Sequence, residues 1–290
     1  MHIPVTMCQD IRPPRNSKLR SLAATYVERC LALILLTVLA SGCTALPRPD
    51  FSPNEPCFKI VTYNLNWGCP DPQAAIEYIL KSDADVVCLQ ETRRQWEALL
   101  KASLSSQYPY SYFCDEPGAG GMGLMSKCEL RGARRIEPNA GWFPALLAEV
   151  KTPVGFVQTI NVHLRPSVSD QGSVTASALY YSPQVHREEL DHFLAATDAT
   201  RPLIIAGDFN ESEKGIGVRS VMDKGFADAL SLFDRRSWTW HWRVGVGITL
   251  KKRYDHILFS KELLCTGAKV SRVNASDHMP VFAVFVAAAR

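Results

Sequence analysis

Two short apolar runs constrain this chain more than any other feature. Asp85-Val-Val-Cys-Leu-Gln90 and Leu203-Ile-Ile-Ala206 are nearly continuous in apolar residues and end in polar ones. Runs this short are strands, and strands apolar on both sides need cover on both sides. A lone sheet facing water is therefore excluded. Further strand signals lie at 58–63, 110–114 paired with 122–126, 146–151 paired with 156–163 around Pro153-Val154-Gly155, 254–260 and 281–286. Helices fall between them. Asp71-Pro72 supplies an N-cap and a first-turn proline, with Ile76, Ile79 and Leu80 on one face. A second helix runs through Trp96 and Leu99, and Ser182-Pro183 opens a third with Val185, Leu190, Phe193 and Leu194 inward. Gly225 closes a fourth that starts near 215. Many strands with irregularly placed helices do not make a strict βαβ barrel. They predict an α/β chain with two packed sheets and helices outside, as one domain over 57–290.

The first 42 residues stand apart. Arg12, Arg15, Lys18, Arg20 and Arg29 precede an uncharged run from Leu31 to Ala40. As a helix that run is about 15 Å long, too short to cross ~30 Å of hydrocarbon, and it suits the apolar core of a secretory signal. Leu39-Ala40-Ser41-Gly42-Cys43 follows and resembles a bacterial lipobox, with small residues before a Cys that receives a diacylglyceryl group. The expectation is a lipoprotein signal peptide over 1–42, lipidation at Cys43, and a linker over 43–56 that Pro47, Pro49, Pro53 and Pro56 keep from being helical. Thr44 rather than Asp follows the Cys, so no inner-membrane retention signal is present and an outer-membrane position facing the periplasm is expected.

The leader also holds five of the 32 Lys/Arg and two of the 29 Asp/Glu, so the formal charge of +3 disappears with it. A neutral domain is a poor candidate for tight, non-specific binding to a polyanion. No stable nucleic-acid complex is expected, and the chain is expected to be a monomer. With 47% hydrophobic and 21% charged residues, disorder, collagen and disulfide-knot classes are excluded. Six cysteines follow Cys43. Cys88, inside an apolar strand, is expected to be a buried free thiol. Cys114 and Cys128 flank a Gly-rich turn and are candidates to face each other across a hairpin. No CxxC or His-Cys spacing suggests zinc.

Polar groups collect where the buried strands end. Tyr63-Asn64-Leu65-Asn66, Gln90-Glu91-Thr92, Asn161-Val162-His163-Leu164, Gly207-Asp208-Phe209-Asn210-Glu211, Tyr254-Asp255-His256 and Ser276-Asp277-His278-Met279-Pro280 form an ordered set. Taken singly, each has an ordinary reading as a turn, a helix start or a structural histidine. Together they offer hard oxygen ligands, two histidines and carboxylates to orient them. That kit suits Mg²⁺-assisted attack of water on phosphorus. His186, His192 and His241 are expected to be solvated helix or loop residues.

In this order the motifs resemble the endonuclease/exonuclease/phosphatase superfamily, with its deoxyribonuclease I-like fold. The match runs over about 58–286, and GDFN with a downstream SDH-x-P is specific to it. The resemblance implies a four-layer sandwich, two mixed β-sheets between helices, with the site at one edge. It implies Glu91 as principal Mg²⁺ ligand, with Mn²⁺ as a substitute ion, aided by Asn64. Asn66 would aid the metal or contact substrate, and Asp277 would stand near the metal or hold a second one. Asp208 would orient or deprotonate the attacking water, with Asn210 on a phosphoryl oxygen. His278 would act as base or transition-state stabiliser, oriented by Asp255. His163 would protonate the leaving oxygen or stabilise its charge. Where deoxyribonuclease I has a Glu partner for that histidine, 118–123 here carries no carboxylate.

Trp238, Trp240, Trp242 and Arg243, with Lys251, Lys252 and Arg253, form an aromatic and basic loop before Asp255. Trp240 and Arg243 are its candidate substrate contacts, for stacking on a base or sugar, against a purely structural aromatic cluster. The expected function is Mg²⁺-dependent hydrolysis of a phosphoester in nucleic acid, a nucleotide or a phospholipid head group. The alternative is a non-catalytic envelope lipoprotein that uses the fold for binding. A substituted core catalytic position would favour that alternative, and none is substituted.

Overall fold

The computed structural model describes residues 55–168, 173, 175–245 and 247–288. In chain order the strands are β1 (Cys57–Asn64), β2 (Val86–Gln90), β3 (Tyr110–Cys114), β4 (Met122–Ser126), β5 (Leu130–Ile136), β6 (Ala145–Thr152) and β7 (Gly155–His163). They continue with β8 (Leu203–Asp208), β9 (Ala227–Asp228), β10 (Trp240–Gly245), β11 (Ile248–Lys252), β12 (Asp255–Phe259), β13 (Leu263–Val270) and β14 (Val281–Ala287). The helices are α1 (Pro72–Ser82), α2 (Arg94–Leu104), α3 (Ala176–Ala195), α4 (Ile216–Met222) and α5 (Ala229–Phe233).

Two six-stranded sheets carry the fold, in the orders β13-β14-β1-β2-β4-β3 and β5-β6-β7-β8-β12-β9. Both are mixed, and both repeat one connectivity. The parallel pair β1–β2, joined through α1, has its counterpart in β7–β8, joined through α3. Every other pairing in the two sheets is antiparallel. The central strands emerge at one edge, as parallel crossovers require.

Burial follows this layering. Phe58, Ile60, Cys88, Leu124, Ala148, Ile204, Ile257 and Phe285 pack between the sheets. Val61, Tyr63, Val87 and Leu89 turn the other way, onto Ile76 and Ile79 of α1 and Trp96 and Leu100 of α2. Ile160, Val162 and Ile205 meet Leu190 and Phe193 of α3 and Val218 and Val221 of α4. The result is helices, sheet, sheet, helices, as the resemblance implied. No helix among the described residues is long and apolar enough to cross a membrane. The expected signal peptide, Cys43 and all of the linker before Glu55 lie outside the described residues.

Several expectations need correction. α3 begins at Ala176, so Pro183 lies inside it rather than at its start. A proline there removes one N–H donor, and the helix continues through it. Leu80 and Leu99 are exposed, because the buried stripes run through Ala75, Ile76 and Ile79 and through Trp96, Leu100 and Leu104. Cys114 pairs with Met122 and Tyr110 with Ser126, so Cys128 lies beyond the opposite end of that hairpin from Cys114. All six described cysteines are free thiols, and Cys88 is buried as expected.

Candidate active site

β1, β2, β7 and β8 deliver their carboxyl ends to the same edge, and β12 and the segment before β14 enter there. The register sets Asn64 beside Gln90, His163 beside Asp208, and Asp255 opposite Asp208. The loops leaving β1, β2 and β8 turn sharply. Asn66, Glu91 and Asn210 have φ of 50°, 58° and 50°, a left-handed conformation that costs a non-glycine residue about 1–3 kcal/mol and persists only where surroundings enforce it. At Gly121 a Cβ would lie 1.6 Å from the Thr92 carbonyl oxygen. Only glycine lets β4 approach the turn that carries Glu91 so closely.

One carboxylate oxygen lies at the centre. Asp208 Oδ2 accepts from Asn64 Nδ2 at 3.0 Å, and lies 3.5 Å from His278 Nε2 and 3.7 Å from His163 Nε2. Asn64 Nδ2 also donates to Glu91 Oε1 at 3.0 Å, while Glu91 Oε2 accepts from the Trp67 backbone N–H at 3.0 Å. Asn64 thus bridges two carboxylates through its nitrogen, and its oxygen accepts from Asn66 N at 2.9 Å. His278 Nδ1 sits 2.9 and 3.1 Å from the two oxygens of Asp255. One potential ligand atom each from Asp208, Asp255 and His278 lie within 4.8 Å of one another.

The electrostatics follow from burial. Desolvation pushes the carboxyl groups of Glu91 and Asp208 up, with Asn64 and Trp67 opposing it at Glu91 and His278 opposing it at Asp208. Burial lowers His163. Burial also opposes a charge on His278, but the carboxylates of Asp255 and Asp208 outweigh it and hold that ring up to about 10. Every ion pair described for Glu91, Asp208 and Asp255 is with a histidine. Three carboxylates, Asp208 and Asp255 buried and Glu91 half-buried, share one charged imidazole ring, and such a set of hard oxygen donors fits a divalent cation.

Other site residues are placed less simply. Asn66 Nδ2 donates to Asp277 Oδ1 at 2.8 Å and its Oδ1 accepts from Gly68 N, so its amide positions Asp277 rather than reaching toward a substrate. Trp240 is at the site, donating from Nε1 to Asp277 Oδ2 at 3.0 Å. Arg243 is not; it is exposed on the β10–β11 ribbon, one residue out of phase with Trp240 and so on the other face. Arg253 is buried, donating to the carbonyls of Asp234 and Ser237, and belongs to the scaffold. Asn210 donates from its backbone N to Asp208 Oδ1 and from Nδ2 to the Leu164 carbonyl, both at 2.9 Å. The missing carboxylate partner of His163 is replaced by backbone: His163 Nδ1 lies 3.2 Å from the Ala119 carbonyl, and Phe143 stacks on the ring at 4.4 Å.

Sequence reasoning missed several supports. Ser276 Oγ donates to the Asn64 carbonyl at 2.9 Å and accepts from His278 N at 3.0 Å, tying two motifs together. Asn161 crosses between the sheets. It accepts from Gln90 Nε2 at 2.6 Å and donates to the carbonyls of Leu89 and Gly123, both at 2.9 Å. A polar residue two positions before His163 on a buried strand was the available signal. His186 is buried rather than solvated, 3.1 Å from Glu211 Oε2 and 2.7 Å from the Arg165 carbonyl. His192 and His241 are half-buried, each against a backbone carbonyl.

Comparison with known proteins agrees with this geometry. The sequence model of the Endonuclease/Exonuclease/phosphatase family matches residues 61–278. A DNA-(apurinic or apyrimidinic site) endonuclease from Dictyostelium discoideum is 24% identical over 272 residues, 81% of this chain and 72% of that protein. Among solved structures, an endonuclease/exonuclease/phosphatase protein from Beutenbergia cavernae superposes with a TM-score of 0.64 at 20% identity, over 80% of this chain and 72% of that one. An AP endonuclease from Archaeoglobus fulgidus gives 0.62 at 18%, over 79% and 99%. Enzymes of this family hydrolyse phosphoesters and in general depend on a divalent metal ion. By its sequence match, its four layers and the site at their edge, the chain belongs to the endonuclease/exonuclease/phosphatase family.

Proposed function

We propose that the protein is a Mg²⁺-dependent phosphoester hydrolase of the bacterial cell envelope, held at the outer membrane through a lipidated Cys43. The observation that carries the catalytic reading is the ring of nitrogens around Asp208 Oδ2: Asn64, His278 and His163 lie within 3.7 Å of this one buried oxygen. Asn64 holds that oxygen by a hydrogen bond with His278 Nε2 beside it, which makes the carboxylate an oriented proton acceptor. Glu91 would hold the ion, with Asn64 and Asp277 beside it, and the bound ion would neutralise charge on the phosphoryl oxygens.

The chain's own groups supply the rest. Asp208 orients the attacking water and takes its proton as the new P–O bond forms. His278, fixed through Nδ1 by Asp255, presents Nε2 to a phosphoryl oxygen. Asn210 keeps one amide hydrogen beyond the one on Leu164, free for a second phosphoryl oxygen. His163 commits Nδ1–H to Ala119, so the neutral ring turns a bare Nε2 into the site. It protonates a leaving oxygen only as the imidazolium, a form that its burial disfavours. Similarity to two abasic-site endonucleases favours a diester substrate. The full chain should be assayed with nitrophenyl phosphate mono- and diesters, plasmid DNA and sphingomyelin. Hydrolysis that stops on chelation, returns with Mg²⁺, and falls ~10²–10⁴-fold in Asp208→Asn is expected. Failure to cleave any of these with Mg²⁺ or Mn²⁺ removes the reading in favour of a binding protein. The anchor is tested separately, by mass spectrometry of the mature N-terminus; an unmodified Cys43 removes it.

A further inference from the structure

β10 and β11 form a two-stranded ribbon outside both large sheets. Its base is fixed to the site. Trp240 bridges to His278, His241 N donates to the Asp277 carbonyl at 3.0 Å, and Met279 N donates to the Thr239 carbonyl at 2.6 Å. Beyond that base the ribbon is amphipathic. Trp240 pairs with Lys252 and Trp242 with Leu250, so these side chains share a face with Ile248, two residues from Leu250. The opposite face carries His241, Arg243, Thr249 and Lys251. It is partly covered: Lys251 Nζ lies 4.8 Å over the Trp238 ring, and the His241 and Trp238 rings are 5.2 Å apart.

No described residue covers the apolar face. Trp242, Ile248 and Leu250 on this face are 55%, 61% and 48% exposed, and Val244, at the register shift beside them, is 57% exposed, a concentration of large apolar groups that marks a contact surface. Its chemistry selects the partner. Three of the four are aliphatic and offer nothing to a stacked base, which wants flat rings. Residues 240–252 hold Arg243, Lys251 and Lys252 and no acid, although the domain as a whole is neutral. An indole, aliphatic side chains and cations on one ribbon match the boundary between lipid head groups and acyl chains, where apolar groups submerge and basic ones meet phosphates. At the neighbouring mouth of the site, Arg93 lies 4.3 Å over the half-exposed Trp67 ring, repeating that pairing.

We propose that the apolar face of β10–β11 rests on a bilayer surface containing anionic phospholipid and holds the catalytic edge against it. The ribbon spans about 16 Å from Trp240 to its turn, so its tip can submerge while Trp240 stays at the site.

Amide hydrogen exchange of the full chain tests this with or without any hydrolytic activity. Vesicles of phosphatidylcholine containing phosphatidylglycerol should slow exchange of the amides in 240–252 by about tenfold or more. The double variant Ile248→Ser with Leu250→Ser shares the same N-terminus, and it should lose that protection. Its hydrolysis of a soluble nitrophenyl ester should stay within about twofold of wild type, since neither side chain touches the site. Ribbon exchange unchanged on vesicles, or slowed by a single-stranded oligonucleotide instead, would overturn the proposal. A protein inert towards every phosphoester would leave the exchange result standing, so the two readings fail separately.

Discussion

Asp255 gives both of its oxygens to one ring nitrogen, and little else in the site orients His278. Asp255→Asn keeps the shape but offers one oxygen and an N–H₂ to a ring that needs an acceptor. Turnover should fall about 10²–10³-fold while circular dichroism stays unchanged. Steady-state kinetics on a soluble ester checks this, and a loss under tenfold counts against the positioning role. Glu189 behaves differently. It is buried, takes one hydrogen bond from Arg165 N at 3.2 Å, and desolvation pushes it up from 4.5 to about 7. Below pH 4.5 its carboxyl is protonated in folded and unfolded chains alike and has no pH effect. Between 4.5 and 7 the folded chain binds more protons, so stability falls as pH rises, and above 7 the full cost of a buried charge remains. Glu189→Gln should therefore match wild type near pH 4.5 and exceed it at pH 8 by up to ~3 kcal/mol. Urea denaturation at the two pH values measures the difference; equal stability at pH 8 would show that Glu189 carries no such cost.

At the scale of elements, legibility tracked burial. β2 and β8 are central and covered on both faces, so their apolar runs announced them. β5 carries Arg131, Arg134 and Arg135 at a sheet edge, β13 lies at another, and neither shows such a run. The β10–β11 ribbon did carry a signal, the two-residue period of Trp240, Trp242 and Val244 followed by Ile248 and Leu250. Its composition instead suggested a loop, and that is why Arg243 was expected beside Trp240. His186 was misjudged for a related reason: starting a helix at Ser182-Pro183 says nothing about which turn faces Glu211. The motifs located the strand ends correctly, but contacts between sheets leave no trace in either strand alone. Asn161 is the clearest case, with three hydrogen bonds to residues of β2 and β4. Asn161→Val fills similar space and leaves the Gln90 amide and two carbonyls without these partners in a buried interface. It should destabilise the protein by about 3 kcal/mol or more. Denaturant unfolding tests this, and a cost under about 1 kcal/mol would mean that the sheets do not depend on the clamp.

For the whole molecule, two copies of one connectivity face each other. Each places the carboxyl ends of a parallel pair at the shared edge, and neither sheet alone holds the site. Glu91 and Asn64 come from one, Asp208, His163 and Asp255 from the other. The site is thus also a seam, and a cation there would join the two halves while relieving the buried carboxylates. Metal binding should accordingly stabilise the entire domain, by about 2.7 kcal/mol at a Mg²⁺ concentration a hundred times the dissociation constant. For a domain of this size that is a rise in Tm of roughly 5–10 °C. Glu91→Ala removes the expected principal ligand together with the acceptor of the Asn64 and Trp67 hydrogen bonds. Mg²⁺ should leave the Tm of this variant almost unchanged. A thermal melt of both proteins with chelator and with Mg²⁺ separates the cases. If Mg²⁺ raises the Tm of Glu91→Ala as far as that of wild type, the ion sits elsewhere on the chain, and Glu91 serves only as an acceptor for Asn64 and Trp67.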